Sequence, residues 1–281
     1  MISIWKDIAV FLDDSSKGET IGRHAAALAR RHKSHLVGVY SLSHSAVQPA
    51  ESFARGAEAI RSVSARRHAA DEAQAVIAAQ NFAALSKEFG ISSEFRIVWR
   101  DEADDGALRA LHCDLIIAAH PQPGELPQSW SAEGLLLATG TPVLLIPESW
   151  SGDTIGETVL IGWNRSREAR RAVNDAMPFI TAAKKIVIVT VDSDRDASHF
   201  GSSPGIHLVE HLARHDAHAV IEEVSSDGLS IAGAILAQAI HQAADLLVIG
   251  AYSHPRTKEI LFGGVTRSLI ADTHLPMLIS R

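Results

Sequence analysis

The chain has 281 residues, 46% of them hydrophobic, and a formal net charge of −7 at pH 7. This length and apolar content suffice for two buried cores of about 140 residues each, and the acidic balance gives no electrostatic reason to expect nucleic acid or an anionic membrane as a partner. The single cysteine, Cys113, excludes an intramolecular disulfide and a cysteine-based metal site. The first residues lack the pattern of a signal peptide, and no apolar run approaches about 18 residues, so we expect a cytoplasmic protein.

Short runs rich in Val, Ile and Leu alternate with helix-like stretches along the first half of the chain. This alternation is typical of parallel strands that crossover helices bury on both faces. We predict strands near 7–13, 35–41, 93–99, 114–119 and 142–146, and helices near 17–33, 102–112 and 131–139. The Ala-rich stretch 56–89 is predicted to form either one long helix or two.

The second half of the chain repeats the first. Four aligned pairs of segments carry the repeat: Ile8–Ser15 with Val159–Ser166, Leu36–Tyr40 with Val187–Val191, Cys113–Ala119 with Ala244–Gly250, and Thr141–Ile146 with Leu275–Ser280. A repeat this long indicates two folded copies rather than a solenoid. In the second copy we predict strands near 158–164, 186–192, 218–224, 245–250 and 276–280, and helices near 167–183, 205–215, 229–243 and 264–273.

These elements predict an α/β protein with two tandem doubly wound domains, each a five-stranded parallel sheet flanked by helices. The polar segment Pro147–Asp153 is the expected linker, which gives domains over residues 1–147 and 155–281. Doubly wound sheets bind ligands at the carboxyl ends of their strands, where the strand order reverses.

A glycine-containing loop follows the fourth strand of the second copy. Gly250-Ala251-Tyr252-Ser253 is followed after nine residues by Gly263-Gly264-Val265-Thr266 at the start of the last helix. Together with the repeat, this loop resembles the universal stress protein family in its tandem, two-domain form. The resemblance spans essentially the whole chain.

ATP-binding members of that family carry Gly-x2-Gly-x9-Gly-Ser/Thr at this place, and an Asp near the ribose. The resemblance implies a nucleotide site in the second copy, formed by Asn164, Val191, Gly250, Ser253, Gly263, Gly264, Val265 and Thr266. Small residues and a helix N-terminus suit a phosphate.

The sequence departs from the pattern because Ser253 replaces the second Gly, Gly264 replaces the hydroxyl residue and Asn164 replaces the Asp. Gly250 and Gly263-Gly264 are equally compatible with a tight turn and close helix packing, and Trp163 either lines an adenine pocket or packs under the following helix.

The first copy has a degenerate nucleotide loop. Ala119 replaces the first Gly, Ser129 and Trp130 stand opposite Gly263 and Gly264, and three prolines stiffen a loop that is shorter than its counterpart. We therefore predict that the indole of Trp130 fills the space of a phosphate and that this copy binds no nucleotide. Asp13 is kept, either as a ribose contact or as a helix cap.

The resemblance implies a non-enzymatic stress-response protein with ATP, accompanied by Mg²⁺, as a regulatory ligand and no other cofactor. A nucleotide-independent scaffold for unknown protein partners and, with less support, a slow ATP hydrolase are the alternatives. The sequence shows no Ser-His-Asp ordering around a GxSxG elbow and no GxxxxGK[ST] loop, and we expect no metal site, since His211 and His215 fit a solvated helix face. In the family's dimers the closing strands pair, so we expect Val143–Ile146 and Met277–Ile279 to form an intramolecular pseudo-dimer; association of two chains into a homodimer is left open.

Overall fold

The computed structural model describes residues 5–12, 16–42, 57–99, 111–121, 130–192, 205–251 and 264–281. Within these ranges one ten-stranded sheet has the order β3-β2-β1-β4-β5-β10-β9-β6-β7-β8. The strands are β1 Asp7–Leu12, β2 His35–Leu42, β3 Ser93–Trp99, β4 Leu115–His120, β5 Val143–Pro147, β6 Thr158–Gly162, β7 Lys185–Val191, β8 Ala219–Val224, β9 Leu246–Gly250 and β10 Met277–Ser280.

The sheet consists of two parallel halves joined by one antiparallel pair. All neighbouring strands are parallel within β1–β5 and within β6–β10, whereas β5 and β10 run antiparallel, with Leu144 opposite Leu278. The predicted fold class and the pairing of the two closing strands are therefore confirmed. In each half the strand order reverses beside the first strand, between β1 and β4 and between β6 and β9.

Helices flank the sheet on both faces. Those that the structure describes are α1 Ser16–His32, α2 Ala57–Phe89, α3 Ala132–Thr139, α4 Arg167–Asp175, α5 Met177–Ile180, α6 Ile206–Ala213, α7 Ile231–His241 and α8 Gly264–Asp272. The single helix expected over 167–183 is instead interrupted at Ala176. Pro178 has no N–H to donate to the preceding turn, which explains the break. The predicted helix near 102–112 falls mostly outside the described residues.

Two apolar clusters, one on each face of the sheet, form the core, and each contains residues of both halves. Ile8 and Val159 belong to one cluster, whereas their neighbours Ala9 and Leu160 belong to the other. This alternation follows from the two-residue period of a strand. Both clusters continue through β5 and β10, so the halves share a continuous core.

In both halves an aspartate at the same position of the repeat binds the backbone at the start of the first strand. The carboxylate of Asp114 accepts hydrogen bonds from two backbone N–H groups around the start of β1, at 2.6 and 3.1 Å. The carboxylate of Asp245, its counterpart in the repeat, does the same around the start of β6, at 2.9 and 2.8 Å. The duplication read from the sequence therefore extends to individual hydrogen bonds.

A second contact between the halves lies at the end of α1. The ring of Trp5 packs edge-on against His32 and against Phe179 of α5, with centroid distances of 4.8 Å in both cases. Beside it, Nη1 of Arg31 donates to the carbonyl of Ile155 at 2.9 Å. The halves are thus held together by helix contacts as well as by the β5–β10 pair. None of the helices that the structure describes is long and apolar enough to cross a membrane.

Candidate nucleotide site at the edge of the second half

The carboxyl ends of β9, β6 and β7 lie side by side at one edge of the sheet, because these three neighbouring strands are parallel. Gly250 is the last residue of β9, Val191 is the last residue of β7 and is half-buried, and Asn164 follows β6. The helix α8 lies between the parallel strands β9 and β10, so its first turn starts at this same edge. The structure therefore brings together the described members of the predicted site around the point where the strand order reverses. Ser253 and Gly263, like the rest of 252–263, lie outside the described residues.

Asn164 forms the turn that leads from β6 into α4. Its side-chain oxygen accepts a hydrogen bond from the backbone N–H of Ser166 at 3.1 Å, and Arg165 between them adopts a left-handed conformation with φ of 59°. Ser166 then caps α4, with its hydroxyl accepting from the N–H of Ala169 at 3.0 Å. The Asn164 oxygen is thus engaged in the turn, which leaves the amide nitrogen as the group that would donate to a ligand.

Gly250 lies against the first turn of α4. A Cβ at this position would come within 2.4 Å of the backbone nitrogen of Ala169 and of the carbonyl carbon of Glu168. No side chain fits in that space without displacing the helix. The glycine is therefore required by the packing of α4 on β9, a role separate from phosphate binding.

A buried carboxylate occupies the same turn. The Glu168 side chain is 6% exposed, and one of its oxygens accepts from Nε of Arg167 at 2.5 Å. Burial raises the pKa of Glu168, but hydrogen bonds from Arg167, from its own backbone N–H and from Ser166 lower it, and the resulting pKa lies below the ordinary value. The carboxylate is thus charged at neutral pH and lies beside the first backbone N–H groups of α4.

The start of α8 is open. No described residue lies within 4 Å of the place where a Cβ of Gly264 would stand, and the next residue, Val265, is 38% exposed. Thr266 is buried. A helix start leaves its first backbone N–H groups without intrahelical partners, and the described residues leave space around Gly264 for a ligand.

The first half is closed at the equivalent place. Trp130 is 1% exposed, and its ring packs edge-on against Phe11 near the carboxyl end of β1, with a centroid distance of 4.6 Å. Its indole N–H finds no hydrogen-bond partner among the described residues. Asp13 and Ser129 lie outside those residues. The buried indole supports the prediction that this half holds no nucleotide, which remains to be tested.

Two side chains of the first half, Glu133 and His120, interact with residues of α8. Arg267, in the first turn of α8, lowers the pKa of Glu133, although burial raises it more. His120, at the end of β4, forms a hydrogen bond with the backbone of Ile270, and burial lowers its pKa. Neither the contacts of Glu133 and His120 with α8 nor the burial of Glu168 could be predicted from the sequence, because contacts between the halves and the burial of a charged side chain leave no periodic signal.

Two further expectations concern Trp163 and the histidines. Trp163 packs against the apolar cluster on the α4 face, as expected of a packing residue. The rings of His211 and His215 are 5.0 Å apart, but within the described ranges no group of three or more His, Cys, Asp or Glu side chains could hold a metal ion.

The comparisons with known proteins agree with this architecture. The model of the universal stress protein family matches residues 157–281. The crystal structure of a universal stress protein from Archaeoglobus fulgidus DSM 4304 is similar, with a TM-score of 0.66 at 15% identity over 97% of this chain and 98% of that one. A putative universal stress protein from Pseudomonas aeruginosa UCBPP-PA14 has a TM-score of 0.59 at 18% identity over 98% and 93% of the two chains. At these identities the structural likeness shows the fold alone. A search of curated proteins finds no match.

Proposed function

Since the chain belongs through its second half, residues 157–281, to the universal stress protein family, we propose that it is a tandem stress-response protein that binds one adenine nucleotide in that half. The first half has the same arrangement of strands but a buried Trp130 where the second half has Gly264. We therefore assign the nucleotide to the second half only.

The open first turn of α8 is the observation that carries this proposal. It combines the backbone N–H groups that a helix start leaves without intrahelical partners, the positive end of a helix dipole and a glycine around which the described residues leave free space. Arg267, also in the first turn and exposed, adds a positive charge. These features suit the phosphates of ATP, with Mg²⁺ bound to the phosphates.

The remaining residues would bind the nucleoside end. The side-chain nitrogen of Asn164 would donate to the ribose, since its oxygen is engaged with Ser166. Val191, at the end of β7, would contact the base. Gly250 acts indirectly by letting α4 approach β9. Ser253 and Gly263 complete the proposed set from the loop.

We assign the nucleotide a regulatory rather than a catalytic role. None of the residues proposed to bind it is a general base, and the one buried carboxylate at this edge, Glu168, has a lowered pKa and is held by hydrogen bonds to Arg167 and Ser166. A cytoplasmic location stays a prediction from the sequence.

A nucleotide-independent scaffold is the second candidate. It is favoured by Glu168, whose negative charge at the α4 turn would repel an anionic ligand, and by the purely structural requirement for Gly250. In that case the carboxyl edge of the second half would serve packing and the recruitment of protein partners.

Acid extraction of freshly purified protein, followed by mass spectrometry of the extract, separates these candidates. We expect up to one ATP or ADP per chain, and reuptake of Mg-ATP after dialysis. A chain that carries none and takes up none would support the scaffold. Incubation of the loaded protein with Mg-ATP should release no phosphate above the buffer control; sustained release would contradict the non-enzymatic role.

A further inference from the structure

A cavity of about 490 Å³ lies in the first half, away from the candidate nucleotide site. It is bounded by α1 on one side, by α2 on the other and beneath by Leu12 of β1, Tyr40 of β2 and Phe95 of β3. Of the two strands between which the order of this half reverses, β1 contributes Leu12 to the lining, whereas none of the described lining residues belongs to β4 or α3. Its volume falls in the range of small-molecule sites, about 300–1,000 Å³.

The cavity exists because of the 33-residue helix α2. Phe82 packs directly over Gly38, where a Cβ would come within 2.7 Å of the ring, and Leu85 approaches Gly22 of α1 to 3.3 Å from a Cβ built there. These contacts anchor the second part of α2 on β2 and α1. In the second half, the described helix between β7 and β8 is α6, of eight residues, so the cavity distinguishes the two halves.

The inner wall of the cavity is aromatic. The ring of Phe95 lies 5.8 Å from that of Tyr40 and 5.4 Å from that of Phe82, both at tilted angles. Tyr40 and Phe82 are buried, and Ile77 at the mouth is 57% exposed. A flat apolar ligand would contact three aromatic rings and cover an exposed isoleucine.

The mouth of the cavity is negatively charged. The charged side chains among its described lining residues are Glu19, Arg23 and Glu88. The Arg23 guanidinium already binds both carboxylate oxygens of Glu88, at 2.6 and 3.1 Å, and Coulomb attraction to Glu19 further raises its pKa. Two acids and one base leave an excess negative charge, while Gln74 and Asn81 add amide groups.

We propose that this cavity binds a small planar aromatic amine as its cation. The aromatic wall would contact the ring system, through stacking and cation–π attraction, and the acidic mouth would attract the ammonium group. The same charge disfavours an anionic nucleotide, so this site is independent of the proposed function in the second half.

Calorimetric titration with three indole compounds tests the proposal, because they share the ring and differ in charge. We expect tryptamine to bind, neutral indole to bind about fivefold more weakly, and indole-3-acetate to bind more weakly still. Saturating Mg-ATP should leave tryptamine binding unchanged. Absence of tryptamine binding at millimolar concentration, or equal binding of indole-3-acetate, would overturn the proposal.

Substitutions on α2 locate the site. Ile77→Trp should block the mouth and weaken tryptamine binding at least tenfold, and Ala84→Trp, at a second exposed lining position, should do the same. Val76→Trp is the matched control, because Val76 is 55% exposed and adjacent to Ile77 but does not line the cavity. Glu19→Gln should weaken binding of tryptamine about fivefold and leave binding of indole unchanged. Equal tryptamine binding by the Ile77→Trp, Ala84→Trp and Val76→Trp variants would show that the ligand binds elsewhere.

Discussion

Leu144 and Leu278 lie opposite each other where β5 and β10 pair, and they occupy equivalent positions in the two halves. On either side the pairing is reciprocal, since Val143 faces Ile279 and Leu145 faces Met277. An approximate twofold axis therefore passes through the Leu144–Leu278 pair. Each half covers a sheet edge that the other would otherwise expose, which explains how one chain acquires the architecture of a dimer.

At one pair of equivalent positions the two halves carry opposite charges, which departs from the twofold symmetry. Glu133 and Arg267 also occupy equivalent positions, yet they carry opposite charges and attract each other across the axis. We expect Glu133→Arg and Arg267→Glu each to lower the free energy of unfolding by about 1 kcal/mol, and the double exchange to recover most of that loss. Urea unfolding of the wild type, the two single variants and the double variant measures this coupling. Strictly additive losses in the double variant would show that the two side chains do not interact.

A side chain at Gly250 should destabilise the second half. Gly250→Ala places a Cβ 2.4 Å from the backbone of α4, so we expect a loss of about 2–3 kcal/mol in the free energy of unfolding. Gly264→Ala is the control, because its Cβ would come within 4 Å of no described residue, and its stability should stay within about 0.5 kcal/mol of the wild type or rise. Thermal unfolding compares them; equal stability of both variants would contradict the described packing.

The sequence predicted the strands well because each is a short apolar run with clear ends. The ten predicted strands start and end within two residues of the observed ones. The family resemblance also predicts that the two Pro-led closing strands pair, and the structure adds that they pair antiparallel. The break at Ala176 was missed because Pro178 at the start of a helical turn resembles an ordinary helix beginning.

The candidate site was only partly predictable. The alignment of the repeat located Gly250 and Gly264, but glycine alone does not reveal that one is crowded by α4 and the other is open. The burial of Glu168 and the contact of His120 with α8 arise from the tertiary fold. The domain limits 1–147 and 155–281 and the full set of site residues stay predictions.

Acidification should weaken the contact between the halves at His32. Burial, followed by the charge of Arg31, lowers the pKa of His32 to about 4. In the unfolded chain the pKa is about 6.5, so between pH 6.5 and pH 4 the unfolded state binds more protons and stability falls as the pH falls. We expect a loss of about 2–3 kcal/mol over this range.

Urea unfolding at several pH values, on the wild type and on His32→Phe, isolates this effect. Phenylalanine keeps a ring against Trp5 and Phe179 but does not titrate. His24 and His120, whose pKa values are also lowered by burial, contribute equally to both proteins. Parallel stability curves for the two proteins would show that His32 is not the responsible group.

The thiol of Cys113 should be unreactive in the folded protein. Burial, together with the negative charges of Asp114 and Asp7, raises its pKa to about 12. At pH 8 the thiolate fraction is then about a thousandfold below that of an ordinary thiol. A disulfide reagent such as DTNB should label the native chain slowly and the chain in guanidinium rapidly. Native labelling within tenfold of the unfolded rate would contradict the environment described for Cys113.

Calorimetric titration of ligand-free protein with Mg-ATP decides whether the second half binds a nucleotide. We expect the wild type to bind about one ATP per chain and Gly264→Trp, which copies Trp130 of the first half into the open turn of α8, to bind at least tenfold more weakly. Ile240→Trp, at a 75% exposed position at the far end of α7, should bind as the wild type does. No binding by the wild type, or equal binding by Gly264→Trp, would contradict the site.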